Sequence, residues 1–341
     1  MNKLNRTQLL PDRPGIPPMA KLPDPEVIDP GDLARAYASG ETDLIVVLGP
    51  TASGKTRYAV SLARRLNALC GAPVGEILSA DSRQVYQGMD IGTGKDLAEY
   101  GAVPYHLIDL VPAGTRYDLF TWQAAFEAAW REVRSRGGIP ILCGGTGLYI
   151  QAATCGYRLP QIPPDEELRA GLEECGIEEL RGMLLALRAV AAPGEEPADR
   201  HTVPSSVLES KRRIIRAIEV ARYEDTHPVQ YTDYLPKHPY LIGTLVDREE
   251  RNRRIDERLD ARLQEGLVEE VKGLLSSGIA PEDLVYYGLE YKFVTQYVLG
   301  ILSQEEMRLL LANAIHQFAK RQMTWFRGME RSGFSIHWTT V

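Results

Sequence analysis

Gly49-Pro50-Thr51-Ala52-Ser53-Gly54-Lys55-Thr56 follows the apolar run Leu44-Ile45-Val46-Val47-Leu48 and precedes a helix-like stretch from Arg57 to Leu69. The order is strand, glycine-bounded loop, helix, and the loop satisfies G-x-x-x-x-G-K-[ST] at every fixed position. Glycines let the backbone wrap so that successive N–H groups and a helix N-terminus face a phosphate. Lys55 adds a point charge, and the Thr56 hydroxyl can hold a magnesium ion. The alternative, a chance glycine turn before a helix, does not account for a complete match in this context. The loop therefore binds a phosphate or a diphosphate; taken alone, it reads as a nucleotide site.

Outward from this loop, short apolar runs alternate with helical patterns. Gly75–Ser79, Tyr105–Asp109, Ile139–Cys143 and Tyr240–Val246 read as further strands. Helices are expected over Pro30–Ser39, capped by Asp32, and over Asp118–Arg136, with Phe120, Ala124, Ala128 and Val133 on one face. Further helices are expected over Asp165–Val190, Ser206–Arg222, Arg248–Ser276 and from Gln304 to about Arg327. Strands alternating with helices predict an α/β fold, a P-loop NTPase-like parallel sheet flanked by helices and joined by right-handed crossovers. From Tyr157 the pattern turns helical and a Pro-, Gly- and Glu-rich loop intervenes at 192–198, which marks an inserted helical subdomain. The expected organisation is a poorly ordered or strap-like leader (1–40), a P-loop core (41–156 and 236–341) and a helical insertion (157–235).

The chain has 341 residues, 44% hydrophobic and 25% charged, which suits an ordinary globular protein with a sizeable core. No apolar stretch approaches the length of a bilayer span, and the proline-bearing N-terminus lacks the apolar segment of a secretory signal. Cys70, Cys143, Cys155 and Cys175 have no metal-ligand spacing, so a cytoplasmic protein with reduced thiols is expected. A net charge of −7 argues against a uniformly basic nucleic-acid coat but leaves room for a local basic groove.

Ligands of open parallel sheets bind beyond the carboxyl ends of strands. Asp81 falls at such an end, where a carboxylate can bind magnesium, accept a proton, or merely cap a turn. Asp109 also follows a strand and suits a structural or indirect metal role. Gly144-Gly145-Thr146-Gly147 offers backbone donors and a hydroxyl near the same edge, or is simply a tight turn. Lys211, Arg212, Arg213 and Arg216 recur on one helix, which by default is a solvated face. Basic residues beside Trp325 and Phe326 suit phosphate contact or base stacking, or core packing of the aromatic pair.

Taken in order, these motifs resemble one family. Gly49–Thr56, Asp81-Ser82-Arg83-Gln84-Val85-Tyr86, Gly88-Met89-Asp90-Ile91-Gly92-Thr93, His106-Leu107-Ile108-Asp109, Gly144-Gly145-Thr146-Gly147-Leu148-Tyr149 and Ala319–Arg327 are similar to the tRNA dimethylallyltransferases, over nearly all of Leu44–Arg327. The absence of zinc-finger spacing near the C-terminus fits the shorter, bacterial type.

The resemblance implies transfer of a dimethylallyl group from dimethylallyl diphosphate to the exocyclic N6 of the adenine 3′ to the tRNA anticodon, with diphosphate released. It implies that Gly49, Pro50, Thr51, Ala52, Ser53, Gly54, Lys55 and Thr56 hold the diphosphate, with Mg2+ as cofactor on Thr56. Asp81 matches the general base, and Thr51 a threonine near the reacting centre. Asp81, Ser82, Arg83, Gln84, Thr146, Arg169, Arg212, Arg213 and Arg216 match tRNA-contacting positions, which makes the insertion an arm for the anticodon stem-loop. A cytoplasmic monomer without membrane association is implied.

Four stretches depart from the family pattern. Gly94 stands where alanine is usual, and Leu208-Glu209-Ser210 replaces Asn-Asp-Pro. Gly288-Leu289-Glu290-Tyr291-Lys292 carries two extra residues, and Ile315-His316 replaces Thr-Arg. Adenylate isopentenyltransferase activity on a free nucleotide, an ordinary P-loop kinase or ATPase, and a silent tRNA-binding paralogue are the rival readings. The first does not need the insertion, the second lacks lid arginines and a Walker-B strand, and the third does not explain intact Thr51, Lys55 and Asp81.

Overall fold

The structure, a computed structural model, describes residues 23–155, 162–189, 205–227 and 236–341. In chain order its first unit contains α1 (Pro30–Ser39), β1 (Leu44–Leu48), α2 (Lys55–Cys70), β2 (Gly75–Ser79), β3 (Tyr86–Gln87), β4 (Tyr105–His106), β5 (Val111–Pro112), α3 (Leu119–Ser135), β6 (Ile139–Gly144) and α4 (Gly147–Cys155). A second unit, within 156–235, holds α5 (Glu166–Glu173), α6 (Ile177–Ala189), α7 (Ser205–Leu208) and α8 (Lys211–Thr226). The first unit then resumes with β7 (Pro239–Leu245), α9 (Arg248–Glu265), α10 (Leu267–Ser276), α11 (Pro281–Tyr286), α12 (Leu289–Val298), α13 (Gln304–Arg331) and β8 (Ile336–Thr340).

Six strands form one parallel sheet in the order β4-β2-β6-β1-β7-β8, as the alternation of strands and helices predicts. The P-loop strand β1 lies inside it, with Ile45 opposite Ile141 on one side and Tyr240 on the other. All five β1 residues are fully buried, the composition expected of a strand covered on both faces. A strand buried this way is held in register by packing on both faces, so its carboxyl end presents the loop at Gly49 at a fixed height.

Several local expectations are corrected. Asp29, not Asp32, caps α1, its carboxylate accepting from the Gly31 N–H at 2.6 Å. The expected strand Tyr105–Asp109 stops at His106 because Leu107 and Asp109 take left-handed φ angles of 66° and 56°. Helix α3 buries Trp122, Phe126, Trp130 and Val133, while Ala124 and Ala128 are exposed, so the apolar face lies around the large aromatics rather than the alanines. The helix expected over Arg248–Ser276 breaks at Gly266, whose φ of 107° ends α9 and starts α10. Likewise Asp165–Val190 breaks after Glu173 and Ser206–Arg222 breaks at Glu209-Ser210. Val190, the loop at 192–198 and residues 1–22 of the leader lie outside the described residues. No helix among the described residues is long and apolar enough to cross a membrane.

Candidate active site

The P-loop is shaped by partners far away in the chain. Gly49 passes so close to β7 that a Cβ there would lie 2.1 Å from Thr244 Oγ1, which excludes any other residue. The Ser53 and Thr244 hydroxyls hydrogen-bond at 2.7 Å in a buried setting, and Ala52 and Gly54 turn the chain with φ of 60° and 80°. The Thr51 N–H donates to Gln322 Oε1 at 2.8 Å, and Gln322 Nε2 donates to the Gly145 carbonyl, also at 2.8 Å. One side chain of α13 thus ties the P-loop to the turn that carries Thr146. The sequence places Gln322 inside a basic-aromatic motif but gives no sign of this clamp.

Lys55 opens α2. Burial pushes its ammonium below the usual lysine range, opposed by the negative charge of Asp81. Beneath it, burial pushes the Cys143 thiol up to about 12, while the Thr56 hydroxyl hydrogen-bonds to that thiol. Cys143 is therefore a neutral packing residue and not a nucleophile.

Asp81 follows β2 directly. Its Oδ1 accepts the Arg83 N–H at 2.9 Å, the turn-capping role open to it from sequence. Oδ2 has no hydrogen bond among the described residues, and the residue is half-exposed, so one oxygen fixes the turn and the other is left for chemistry. The Ser82 N–H donates to Thr146 Oγ1 at 3.0 Å, which brings the Asp81 turn and the glycine turn after β6 together. Gln84 accepts from the Ser79 hydroxyl at 2.9 Å and donates to the Gly94 carbonyl at 3.1 Å, so its amide braces the loop. Arg83 and Arg116 both lie over the Tyr286 ring, at 5.5 and 4.3 Å from its centre. Trp325 is half-exposed and packs on Gly147, where a Cβ would come within 2.3 Å of its ring, whereas Phe326 is buried in the core.

Asp109 has the structural role expected of it. Its carboxylate pairs with Lys95, whose ammonium is almost wholly buried and also donates to Tyr86 O at 2.8 Å. Gly88–Lys95 is further fixed by Glu270 of α10, which accepts the N–H groups of Asp90, Ile91 and Gly92 at 2.8–3.0 Å.

For magnesium, the protein's donor set is small. Among the described residues no group of three or more His, Cys, Asp and Glu is placed to hold a metal. Magnesium keeps several waters and commonly binds through one or two protein oxygens plus substrate phosphates, so the Thr56 hydroxyl at the head of α2 fits an ion that arrives with a diphosphate.

In the second unit two arginines expected to contact a ligand are part-exposed and share one buried carboxylate. Arg169 bonds Glu219 at 3.0 Å through two nitrogens, and Arg216 pairs with the same carboxylate and with the Ile162 carbonyl at 2.9 Å. Arg212 and Arg213 are exposed on α8. Burial raises the Glu219 pKa, but hydrogen bonds from Arg169, the Asp165 N–H and Arg216 outweigh it and leave the carboxyl below its ordinary value. A carboxylate depressed by folding stabilises above its unfolded pKa, and that contribution is lost as pH falls through the folded value. Glu219→Gln is therefore expected to lower the protection of α8 amides at neutral pH and to flatten its decline below the ordinary glutamate range. Hydrogen exchange of α8 across pH measures both; an unchanged acid decline would assign it to another group.

A glycine-bounded phosphate loop at the carboxyl edge of a parallel sheet, with an uncommitted carboxylate at the next strand end, defines a P-loop group-transfer protein of the α/β class. A family model described as IPP transferase matches residues 84–329. The chain is 52% identical over 299 residues, 86% of its length and 93% of the relative's, to a protein of Porphyromonas gingivalis named tRNA dimethylallyltransferase 2. The full-length tRNA isopentenylpyrophosphate transferase of Bacillus halodurans superposes with a TM-score of 0.61 at 33% identity, covering 88% of this chain and 90% of that one. A eukaryotic dimethylallyltransferase acting on tRNA shares the fold, with a TM-score of 0.62 at 22% identity over 83% of this chain and 69% of that one. The chain belongs to the IPP transferase family.

Proposed function

We propose that this protein transfers a dimethylallyl group from dimethylallyl diphosphate to the exocyclic N6 of the adenine 3′ to the tRNA anticodon, releasing diphosphate. The observation that carries the proposal is the free Oδ2 of Asp81 beside the P-loop, in a chain of this family. The adenine leaves its stack to enter the site, at a cost of a few kcal/mol. Its N6 lone pair is delocalised into the ring, so the amine needs an acceptor that orients it and takes a proton. Asp81 Oδ2 has the free lone pairs, and the bond from the Arg83 N–H to Oδ1 keeps the carboxylate from rotating away. N6 bonds to the allylic carbon as the C–O bond to diphosphate breaks, and the N6 proton passes to Asp81.

Charge on the departing diphosphate is met by the P-loop amides and by Lys55, whose ammonium burial has already withdrawn from water. Bound magnesium would supply further neutralisation of that charge. Thr51, fixed through its N–H by Gln322, is the threonine this reading sets at the reacting centre. Ser82 and Thr146, tied to each other, and Arg83 line the approach of the flipped base, while Gln84 holds that surface in place. On the second unit Arg212 and Arg213 meet RNA phosphates. Arg169 and Arg216, bound to Glu219, shape the helices that present them. The protein acts as a cytoplasmic monomer on tRNA.

Labelled dimethylallyl diphosphate offered with tRNA or with AMP tests this reading. Label is expected in tRNA alone, and binding of tRNA should weaken steeply as salt rises. Label in AMP only would establish the free-nucleotide activity, and label in neither the silent paralogue.

A further inference from the structure

Two guanidinium groups of α9 converge on one glycine beside the P-loop. Gly94 has φ of 61°, and a Cβ there would lie 1.6 Å from Nη2 of Arg262 and 2.6 Å from Nη2 of Arg258. An alanine at 94 would have to take a left-handed φ and push the tips of both arginines aside, which gives the departure at Gly94 a physical reason. Arg258 is committed, to the Asp96 carboxylate and at 3.4 Å to the Gly94 carbonyl. Arg262 is not. It is 9% exposed; Glu290 Oε1 lies 3.6 Å away, beyond direct hydrogen-bond reach, and the Asp96 carboxylate acts on it from further off. Glu290 belongs to the stretch with two extra residues, so two separate departures from the family pattern meet at this one side chain.

A guanidinium carries five N–H donors, and withdrawing it from water without an acceptor is costly. Like charges brought to one point raise that cost, unless an anion completes the arrangement. The cluster is close enough to the site that Arg258 and Arg262 both act on Lys55, and Gly94 is bonded through Gln84 to the Asp81 turn. We propose that Arg262 is an additional binding residue for the diphosphate group, donating to an oxygen of the leaving group, with the Glu290 carboxylate 3.6 Å from it in the free protein. The inference rests on the diphosphate reading of the P-loop.

Calorimetric titration of the full chain with inorganic pyrophosphate and magnesium tests it. Arg262→Met is expected to weaken pyrophosphate binding on the order of 10–100-fold, the loss of one charge-assisted hydrogen bond. Arg262→Lys should lose less but measurably, and Glu290→Gln should bind more tightly, because it removes a negative charge from the site. If Arg262→Met does not fold, the Lys and Gln variants still decide: a measurable loss in Lys with tightening in Gln supports the proposal, and affinities equal to that of the unaltered protein in both overturn it. Unchanged affinity in a folded Arg262→Met, with only the melting temperature altered, would make Arg262 a packing residue. Failure of the unaltered protein to bind pyrophosphate would overturn the diphosphate reading itself, a distinct result.

Discussion

Asp81→Ala is expected to lower turnover by about 10²–10⁴, the range supplied by a positioned general base, while tRNA binding survives. The separation follows from the geometry. Oδ1 is used within the turn and Oδ2 is not, so the truncation removes one local bond to Arg83 N–H and one catalytic acceptor. The turn keeps its other ties, from the Ser82 N–H to Thr146 and through Gln84 to Ser79 and Gly94. Asp81→Asn sharpens the test, because asparagine preserves an acceptor for the Arg83 N–H but cannot take a proton at neutral pH. Single-turnover rates should fall in both variants with tRNA affinity nearly unchanged. A parallel loss of affinity and rate would show that Asp81 only supports the loop.

The second large effect concerns Lys55. Lys55→Met keeps most of the stem and removes the charge, and kcat/KM for dimethylallyl diphosphate is expected to fall by about 10²–10³, as when one stabilising donor is lost from a desolvated site. A pH signature accompanies it. Burial has pushed the Lys55 pKa down, so the free site loses its positive charge at a lower pH than an ordinary lysine would. The bound diphosphate favours the charged form, hence binding takes up a proton in the interval between the free and bound values. Pyrophosphate affinity should therefore decline with rising pH before the usual lysine range, and Lys55→Met should abolish that decline. A decline that persists in the variant would place the titrating group elsewhere.

Much of this site is legible in the sequence because its grammar is local. Glycines at fixed spacing, a lysine at a helix start and an apolar run before them specify a strand, a loop and a helix within about twenty residues. The long-range partners are not legible. Arg216 and Glu219 are three apart on α8, a spacing that suits an ion pair, but nothing near Arg169 announces that it closes on the same buried carboxylate from 50 residues away. Helix breaks at Gly266 and Glu209-Ser210 were concealed by continuous charge patterns, since side-chain periodicity carries little information about a residue with φ of 107°. On α3 the alanines mimic an apolar stripe, but the larger area of Trp122, Phe126 and Trp130 decides which side faces the core. The motif around Trp325 divides between two fates, one aromatic half-exposed and the next buried, a distinction of a single residue along one helix.

The ties that shape the P-loop have a consequence for synthesis of the chain. Ser53 is completed by Thr244 and Thr51 by Gln322, separations of 191 and 271 residues. Strand β1 likewise has β7 as one of its two neighbours, across the whole helical insertion. A ribosome that has finished α2 has made every residue of the phosphate motif but none of these partners. The nascent chain at that stage carries an apolar strand with both flanks unpaired, since β6 and β7 are still to be made, the kind of segment that pairs wrongly or recruits chaperones. On the proposed reading of the P-loop, diphosphate capture is therefore expected only after Gln322 has been added, late in synthesis of the chain.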